Sequence, residues 1–302
     1  MLKNLPDKLL FAILIVILIS GCSFMNFPVT PTTIPTQTLT QPQFSPTSVD
    51  PTNTPLPTPT VTPSATPTPV WVFQSGSITC PILLYHRIAE PPSPNSSDAR
   101  YYMPPEDFKW QMQALTDWGY SVIPISLLVT AITKGAQLPP RPIVISFDDG
   151  YDTVFENAYP IMQDFGFTGV LYIIADYVGA QGYMSIDQLT AMSGKGWEIG
   201  SHSMTHPHLP ANHDLINFEA GQSKNLLASE IGVNVETFAY PYGEIDGFVV
   251  DKVAEYGYLA AVGLGTQYVH SLSTLFYLSR IEVRNGTDKT AFAALLPWSD
   301  NP

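Results

Sequence analysis

The residues Pro142-Ile-Val-Ile-Ser-Phe-Asp-Asp-Gly150 are the clearest structural signal in the chain. The first six form an apolar run that predicts a buried strand, and the strand ends at two adjacent carboxylates, Asp148 and Asp149. Gly150 permits a sharp exit from the strand. Burying a carboxylate costs free energy unless it is paired or has a functional role, so the two residues are candidates for a site. A solvated loop with an Asx turn would explain the same residues.

On both sides of this run, short β-rich segments alternate with helical segments, which favours a mainly parallel sheet in an α/β fold. The spacing fits either a (β/α) barrel or a doubly wound sheet, and in both the chemistry is expected at the carboxyl ends of the strands. The predicted strands are Ile78–Tyr85, Ser121–Ile125, Pro142–Phe147, Gly169–Ile174, Trp197–Gly200, Thr237–Tyr240, Leu259–Val262 and Leu278–Val283.

Two further strand ends carry unusual residues. Trp197–Gly200 is followed by Ser201-His-Ser-Met-Thr-His206. If this segment is helical, the imidazoles of His202 and His206 lie four residues apart on one face, and a carboxylate from another strand would complete a three-ligand metal site with an open position. The predicted strand Thr237–Tyr240 leads into Tyr240-Pro-Tyr-Gly243. Aromatic residues at a strand end are typical of a site for a sugar or an apolar ligand, but equally of the rim of a hydrophobic core.

Taken in order, Phe147–Gly150, His202–His206 and Tyr240–Gly243 resemble the three leading motifs of the polysaccharide deacetylase family, the NodB-like carbohydrate esterases. The resemblance extends from about Ile78 to Val283. It implies a distorted (β/α) barrel and metal-dependent removal of acetyl groups from a glycan.

Carried over by position, the resemblance assigns one divalent metal ion to Asp149, His202 and His206. Two imidazoles and one carboxylate suit zinc, and cobalt, nickel or iron could occupy the same ligands.

The resemblance also assigns the general base to Asp148 and an oxyanion contact to the backbone N–H of Tyr242, with Tyr240 and Pro241 beside the substrate. A metal ion that polarises an acetamide lets a carboxylate activate water near neutral pH, and a fixed N–H stabilises the oxyanion.

The sequence departs from the commonest family pattern at two points. In many relatives, the general acid is a His in a Leu-x-His motif late in the chain, and His270 lacks that context. His86, at the end of the first strand, instead resembles the early Tyr-His of the poly-N-acetylglucosamine deacetylase branch. In that branch, the early His is the proposed general acid. A buried structural histidine is the alternative. Ala239 stands where many relatives carry an Arg that steadies the base, and Arg280 is a candidate replacement.

The N-terminus predicts export and a lipid anchor. Lys3 and Lys8 precede 11 apolar residues, Leu9–Ile19, which are too few to span a bilayer because a spanning helix needs about 20. The following Ser-Gly-Cys resembles the lipobox of bacterial lipoproteins, so we expect a signal peptide over residues 1–21 and a lipidated Cys22; an ordinary cleaved signal is the alternative. With Cys22 acylated, Cys80 has no disulfide partner and is expected to be a small buried residue.

A tether follows the anchor. Pro28–Pro69 contains 12 Pro, 14 Thr and 3 Ser in 42 residues and cannot bury a core, so we predict a disordered Thr/Pro-rich linker over residues 22–70 and a catalytic domain over residues 71–302. The net charge of −13 argues against nucleic-acid binding and against electrostatic docking to anionic lipid.

These observations predict a monomeric enzyme, held to the outer face of a bacterial membrane by lipid alone. It would face the cell wall or the extracellular space and deacetylate N-acetylglucosamine residues of a polysaccharide. Peptidoglycan or O-acetyl xylan are alternative substrates for the same machinery. A catalytically inactive carbohydrate-binding lipoprotein is the alternative of a different class.

Overall fold

The computed structural model describes residues 76–93 and 95–298. The predicted signal peptide, Cys22 and the predicted tether lie outside the described residues, as do residues 71–75 and 299–302 of the predicted catalytic domain.

Parallel strands form the centre of the fold. One sheet has the order β10-β2-β4-β5-β6-β7-β8 with every neighbouring pair parallel, and β3 also pairs with β4. A separate antiparallel pair joins β1 to β9. The strands are β1 Ile78–Thr79, β2 Ile82–Tyr85, β3 Ser121–Val122, β4 Pro142–Phe147, β5 Val170–Ile173, β6 Glu198–Ser201, β7 Thr237–Ala239, β8 Ala260–Val262, β9 Val269–His270 and β10 Ile281–Glu282.

Helices connect most successive strands, as crossovers between parallel strands require. They are α1 Pro105–Asp117, α2 Ile125–Lys134, α3 Tyr159–Asp164, α4 Ile186–Ser193, α5 Ser223–Ile231, α6 Gly247–Glu255 and α7 Lys289–Ala294. Two π-helical segments, Val154–Ala158 and Asn217–Gln222, lead into α3 and α5. Among the described residues, no helix has the length and hydropathy that a bilayer crossing requires.

The sheet curls into a distorted barrel, as the sequence predicts. The segment 278–282, which follows β9, joins the two edges of the sheet. Leu278 forms a parallel bridge with Val262 of β8, and β10 pairs with β2.

Alternation along β4 separates the two faces of the sheet. Ile143, Ile145 and Phe147 pack in the larger apolar cluster, which contains residues of α1, α4, α5 and α6. Val144 belongs to the second cluster, which contains buried residues of α2 together with inward residues of β2, β5 and β8. Helix α2 therefore fills one end of the barrel, and the site lies at the other end.

The predicted strand 142–147 has the same limits in the structure, four other predicted strands differ by one residue at one or both ends, and three depart further. The predicted strand 78–85 is broken at Pro81, which has no N–H to donate to a ladder. The predicted strand 121–125 is a strand only at Ser121–Val122, since Pro124 precedes the first turn of α2. In the predicted strand 278–283, only Ile281–Glu282 pairs with β2.

Candidate active site

The residues selected by the sequence motifs meet in one cleft at the carboxyl ends of the strands. The cleft encloses about 320 Å³. Its lining includes His86, Asp148, Asp149, His202, His206, Tyr240, Tyr242 and Arg280. Parallel strands place all their carboxyl ends at one edge, which explains why residues so distant in sequence converge.

Asp149, His202 and His206 form a cluster with the dimensions of a metal site. Their ligand atoms all lie within 4.8 Å of one another. The His202 Nε2 to His206 Nε2 distance is 3.1 Å, and Asp149 Oδ1 lies 3.6 Å from His202 Nε2 and 3.8 Å from His206 Nε2. Tetrahedral coordination with bonds of about 2.0–2.1 Å places ligand atoms about 3.3 Å apart, so the three side chains fit one divalent ion.

The tautomer of His202 agrees with this fit. The ring is buried, and its Nδ1 lies 2.8 Å from the Ala239 carbonyl oxygen, which can only accept a hydrogen bond. Nδ1 therefore carries the proton, and the Nε2 lone pair points toward the cluster. Ala239, where many relatives carry an Arg, thus contributes its backbone to the site.

The chain between the two imidazoles is irregular, so the helical arrangement considered from the sequence is wrong. Ser203 and His206 adopt left-handed backbone conformations with φ of 69° and 64°, each of which costs about 1–2 kcal/mol for a residue with a side chain. The His206 N–H donates to Ser203 Oγ at 2.9 Å. A tight loop, rather than one face of a helix, brings the two rings together.

The chain leaves β4 through another pair of left-handed residues. Asp149 has φ of 72° and Gly150 has φ of 87°. Asp tolerates this conformation better than most residues do. The turn sends the two adjacent carboxylates in different directions, with Asp149 in the histidine cluster and Asp148 toward the barrel interior.

Asp148 is held by Arg280. Arg280 Nη1 donates to Asp148 Oδ1 at 2.6 Å and Nη2 donates to Oδ2 at 2.7 Å, and the two residues are 1% and 3% exposed. Burial raises the pKa of the Asp148 carboxyl, but the Arg280 charge, followed by that of His202, lowers it to about 2. Asp148 is therefore an anion, and its Oδ2 lies 3.6 Å from His202 Nε2.

His86 lies in the same cleft, with its ring edge to face with that of Tyr101 at 4.8 Å between centroids. Burial lowers the pKa of this imidazole, and the charges of Asp149 and Asp148 partly oppose the effect. The lowered pKa favours the neutral imidazole, so the ring would have to gain a proton before it could donate one.

His270 lies elsewhere. It is buried in β9, and its Nε2 lies 3.0 Å from the Cys80 carbonyl oxygen. Cys80 is itself fully buried, as the sequence predicts.

The segment after β7 places its three candidate residues differently. The Tyr240 ring is buried, and its hydroxyl donates to the Phe276 carbonyl at 3.0 Å. Pro241 is also buried. Tyr242 has φ of 59°, is 49% exposed and donates its hydroxyl to the His206 carbonyl at 3.3 Å. Of the three, Tyr242 is the residue whose side chain is open to solvent at the cleft.

One part of the cleft lining is aromatic and cationic and was not predicted from the sequence. The guanidinium of Arg87 lies 3.4 Å from the ring centroid of Tyr151, and the Tyr151 and Tyr183 rings are 5.0 Å apart. Both Arg87 and Tyr151 lie immediately beside recognised motifs, which was the only available signal.

Comparisons with known proteins agree with this geometry. The model of the polysaccharide deacetylase family matches residues 135–261, a range that contains the three motifs. The Bacillus subtilis protein YxkH, named for the same family, is 24% identical over 230 residues, covering 76% of this chain and 80% of that protein.

Poly-beta-1,6-N-acetyl-D-glucosamine N-deacetylase of Staphylococcus aureus is 25% identical over 163 residues, and the match spans 49% of this chain and 56% of that enzyme. Among solved structures, the Streptococcus pyogenes deacetylase PplD aligns with a TM-score of 0.67 at 23% identity, over 76% of this chain and 100% of that chain. The Bacillus cereus polysaccharide deacetylase BC0361 aligns with a TM-score of 0.66 at 24% identity, over 73% and 70% of the two chains. These two structural matches establish the fold.

Proposed function

We propose that this chain, which carries a polysaccharide deacetylase domain, is a metal-dependent hydrolase of N-acetylglucosamine residues in an extracellular or cell-wall polysaccharide. The products would be acetate and free amines on the glycan. The observation that carries the proposal is the three-ligand cluster beside a buried carboxylate that Arg280 fixes in place. The Staphylococcus aureus relative supports the choice of an N-acetylated glucosamine polymer.

Asp149, His202 and His206 would hold the metal ion. A divalent ion bound there supplies Lewis acidity, which polarises an acetamide carbonyl and lowers the pKa of water. Two nitrogens and one oxygen suit zinc, with cobalt, nickel or iron as alternatives.

Asp148 would act as the general base that takes the proton from the attacking water. Arg280 occupies one lone pair on each carboxylate oxygen and leaves another free to accept a proton. The same guanidinium keeps Asp148 ionised and fixes its orientation. Arg280 therefore takes the place of the Arg that many relatives carry at the position of Ala239.

His86 and Tyr242 would complete the reaction. The amine must be protonated before it leaves, and His86 would deliver that proton. Because burial lowers its pKa and favours the neutral ring, His86 would first take up the proton that Asp148 removes from the attacking water, and its imidazolium would then give that proton to the amine. The backbone N–H of Tyr242 would donate to the oxyanion that forms on the acetyl oxygen.

The proposal includes the location predicted from the N-terminus. Export, acylation of Cys22 and the Thr/Pro-rich tether would hold a monomeric catalytic domain at the outer face of the membrane, within reach of the wall.

Acetate release from a glycan panel tests the proposal. The full chain is incubated with β-1,6-linked and β-1,4-linked N-acetylglucosamine oligomers, peptidoglycan and acetylated xylan, and both acetate and free amine are measured. We expect both products from a glucosamine oligomer, loss of activity with a chelator, recovery on adding zinc, and loss of activity in Asp148→Asn. Asp164→Asn, an exposed residue of α3, is the matched control and should remain active.

Each alternative has its own signature. Acetate without free amine, from xylan alone, would indicate an esterase, and activity confined to peptidoglycan would change the substrate. Glycan binding without acetate release in zinc or cobalt would indicate an inactive binding protein. Full activity of Asp148→Asn in the presence of chelator would contradict the mechanism.

A further inference from the structure

The loop that carries both candidate histidine ligands is clamped from two sides. On one side, the N–H groups of Ala175 and Asp176 donate to the carbonyls of Ser203 and Met204 at 3.1 and 3.0 Å. These bonds satisfy carbonyl groups of the loop but not its N–H groups. The N–H groups of Ser203 and His206 donate to the hydroxyls of Ser201 and Ser203. Because N–H groups removed from water require acceptors, those of Met204 and Thr205 need a partner on the other side of the loop.

Glu219 supplies those acceptors. Its Oε2 accepts the N–H of Met204 at 3.0 Å and the N–H of Thr205 at 2.9 Å, and its Oε1 accepts the Thr205 hydroxyl at 2.7 Å. The residue is 1% exposed and belongs to the π-helical segment Asn217–Gln222. Both oxygens of a buried carboxylate thus bind Met204 and Thr205, two of the three residues that lie between the histidine ligands.

Left-handed residues persist only where their surroundings fix them. The loop contains two such residues, Ser203 and His206, one on each side of the pair that Glu219 binds. Hydrogen bonds to an ionised acceptor are stronger than neutral ones, so the carboxylate is well suited to hold this conformation. Without it, His206 would lose a principal constraint on where its Nε2 points.

We propose that Glu219 is a positioning residue for the metal site, holding the 202–206 loop so that both Nε2 atoms face one divalent ion. This inference rests on the proposed function, because it assumes that the cluster binds a metal ion. Glu219 does not belong to the three-ligand cluster, and its effect is transmitted through the loop backbone. Removal of such outer partners typically weakens metal binding about 10–100-fold.

The test measures metal binding directly. Glu219→Leu removes both acceptor oxygens at a similar side-chain volume, so the N–H groups of Met204 and Thr205 lose their acceptor. We expect Zn²⁺ affinity, measured by chelator competition on the full chain, to fall about 10–100-fold. The visible absorption spectrum of bound Co²⁺, which reports ligand geometry, should change as well.

Glu198→Leu is the matched control. Glu198 also accepts backbone N–H groups, those of Ile125 at 2.7 Å and Ser126 at 3.2 Å, but it stands at the amino end of β6. That end lies about 10 Å along the strand from Ser201. This variant should be destabilised without any change in Zn²⁺ affinity or in the Co²⁺ spectrum.

A milder pair covers the case in which Glu219→Leu does not fold. Thr205 is exposed, so Thr205→Val removes only the hydroxyl bond to Glu219, whereas Thr205→Ser retains it. We expect Thr205→Val to weaken Zn²⁺ binding by several-fold and Thr205→Ser to match the wild type.

Unchanged Zn²⁺ affinity and an unchanged Co²⁺ spectrum in folded Glu219→Leu, or in Thr205→Val if the first does not fold, would overturn the inference. Failure of the wild-type chain to bind either ion would instead contradict the proposed function, and the inference with it.

Discussion

Replacement of Arg280 by glutamine removes the cation that holds Asp148. The wild-type pair has two parallel hydrogen bonds of 2.6 and 2.7 Å between nearly inaccessible side chains. Glutamine is neutral and cannot form the two-pronged contact of a guanidinium. The carboxylate of Asp148 would then remain buried without a cation that matches its shape.

The size of the effect follows from the pKa of Asp148. Burial is the largest single influence and raises the pKa, yet the pKa is lowered from 3.8 to about 2. That difference corresponds to about 2.5 kcal/mol in favour of the carboxylate, so the attraction, mainly from Arg280, exceeds the burial penalty by that amount. Without Arg280, burial loses its main opposing influence, so we expect the pKa to rise above its ordinary value.

The sign of the pH dependence reverses as a result. In the wild type, the lowered pKa contributes stability at neutral pH that is lost as the pH falls from about 4 to about 2. In Arg280→Gln, the raised pKa means that the folded state binds the proton more tightly than the unfolded state. The variant therefore loses stability as the pH rises above about 4.

Urea unfolding and pH-rate profiles test this reasoning. At pH 7 we expect Arg280→Gln to lose about 3–5 kcal/mol of unfolding free energy, as expected for breaking a buried pair, and the acid limb of acetate release to move to higher pH. Arg284→Gln breaks an exposed pair with Glu282 of 2.6 Å and should cost less than about 1 kcal/mol. An Arg280→Gln protein with wild-type stability and an unmoved acid limb would refute the account.

Two further predictions concern a buried histidine and the turn after β4. Burial lowers the pKa of His270 to about 4, so the unfolded state binds the proton first. The free energy of unfolding should therefore fall by about 3 kcal/mol between pH 6.5 and 4. Urea titrations at several pH values should show that His270→Gln lacks this part of the pH dependence, and the same pH dependence in both proteins would contradict the assignment. Gly150→Ala and Gly166→Ala both place a side chain at positive φ and should each cost about 1–2 kcal/mol. Only Gly150→Ala, whose Cβ would meet Ile173 Cδ1 at 3.1 Å, should also slow acetate release, and equal activity of the two variants would show that this turn does not position Asp149.

The local sequence predicted an element correctly where a single physical effect determines its structure. The fully buried strand Pro142–Phe147 was predicted to the residue because a run of six residues that is apolar except for Ser146 has few other structures available. The same run places its carboxylates at the carboxyl edge of the sheet. Prediction failed where the chain is irregular, as at Pro81 and in the segment 278–283, because ladder pairing there depends on which distant strand is adjacent.

The site shows the same division. The two His and the Asp-Asp pair could be selected from motifs, but the His202–His206 loop was not predictable, since its left-handed residues are Ser and His rather than glycine. Glu219 left no recognisable signal, because a single Glu in a helical stretch is ordinary and its burial depends on the packing of Asn217–Gln222 against the loop.

The sequence by itself determined the α/β class, the order of the strands along the chain and the chemical types available at their ends, because periodicity and motif spacing are local properties. Only the tertiary structure decided that Arg280, 132 residues after Asp148, is the partner of that carboxylate, and that His202 presents Nε2 to the cluster. Both depend on how the sheet curls and closes between β8 and β10. Closure is a property of the whole barrel, which no local stretch of residues specifies.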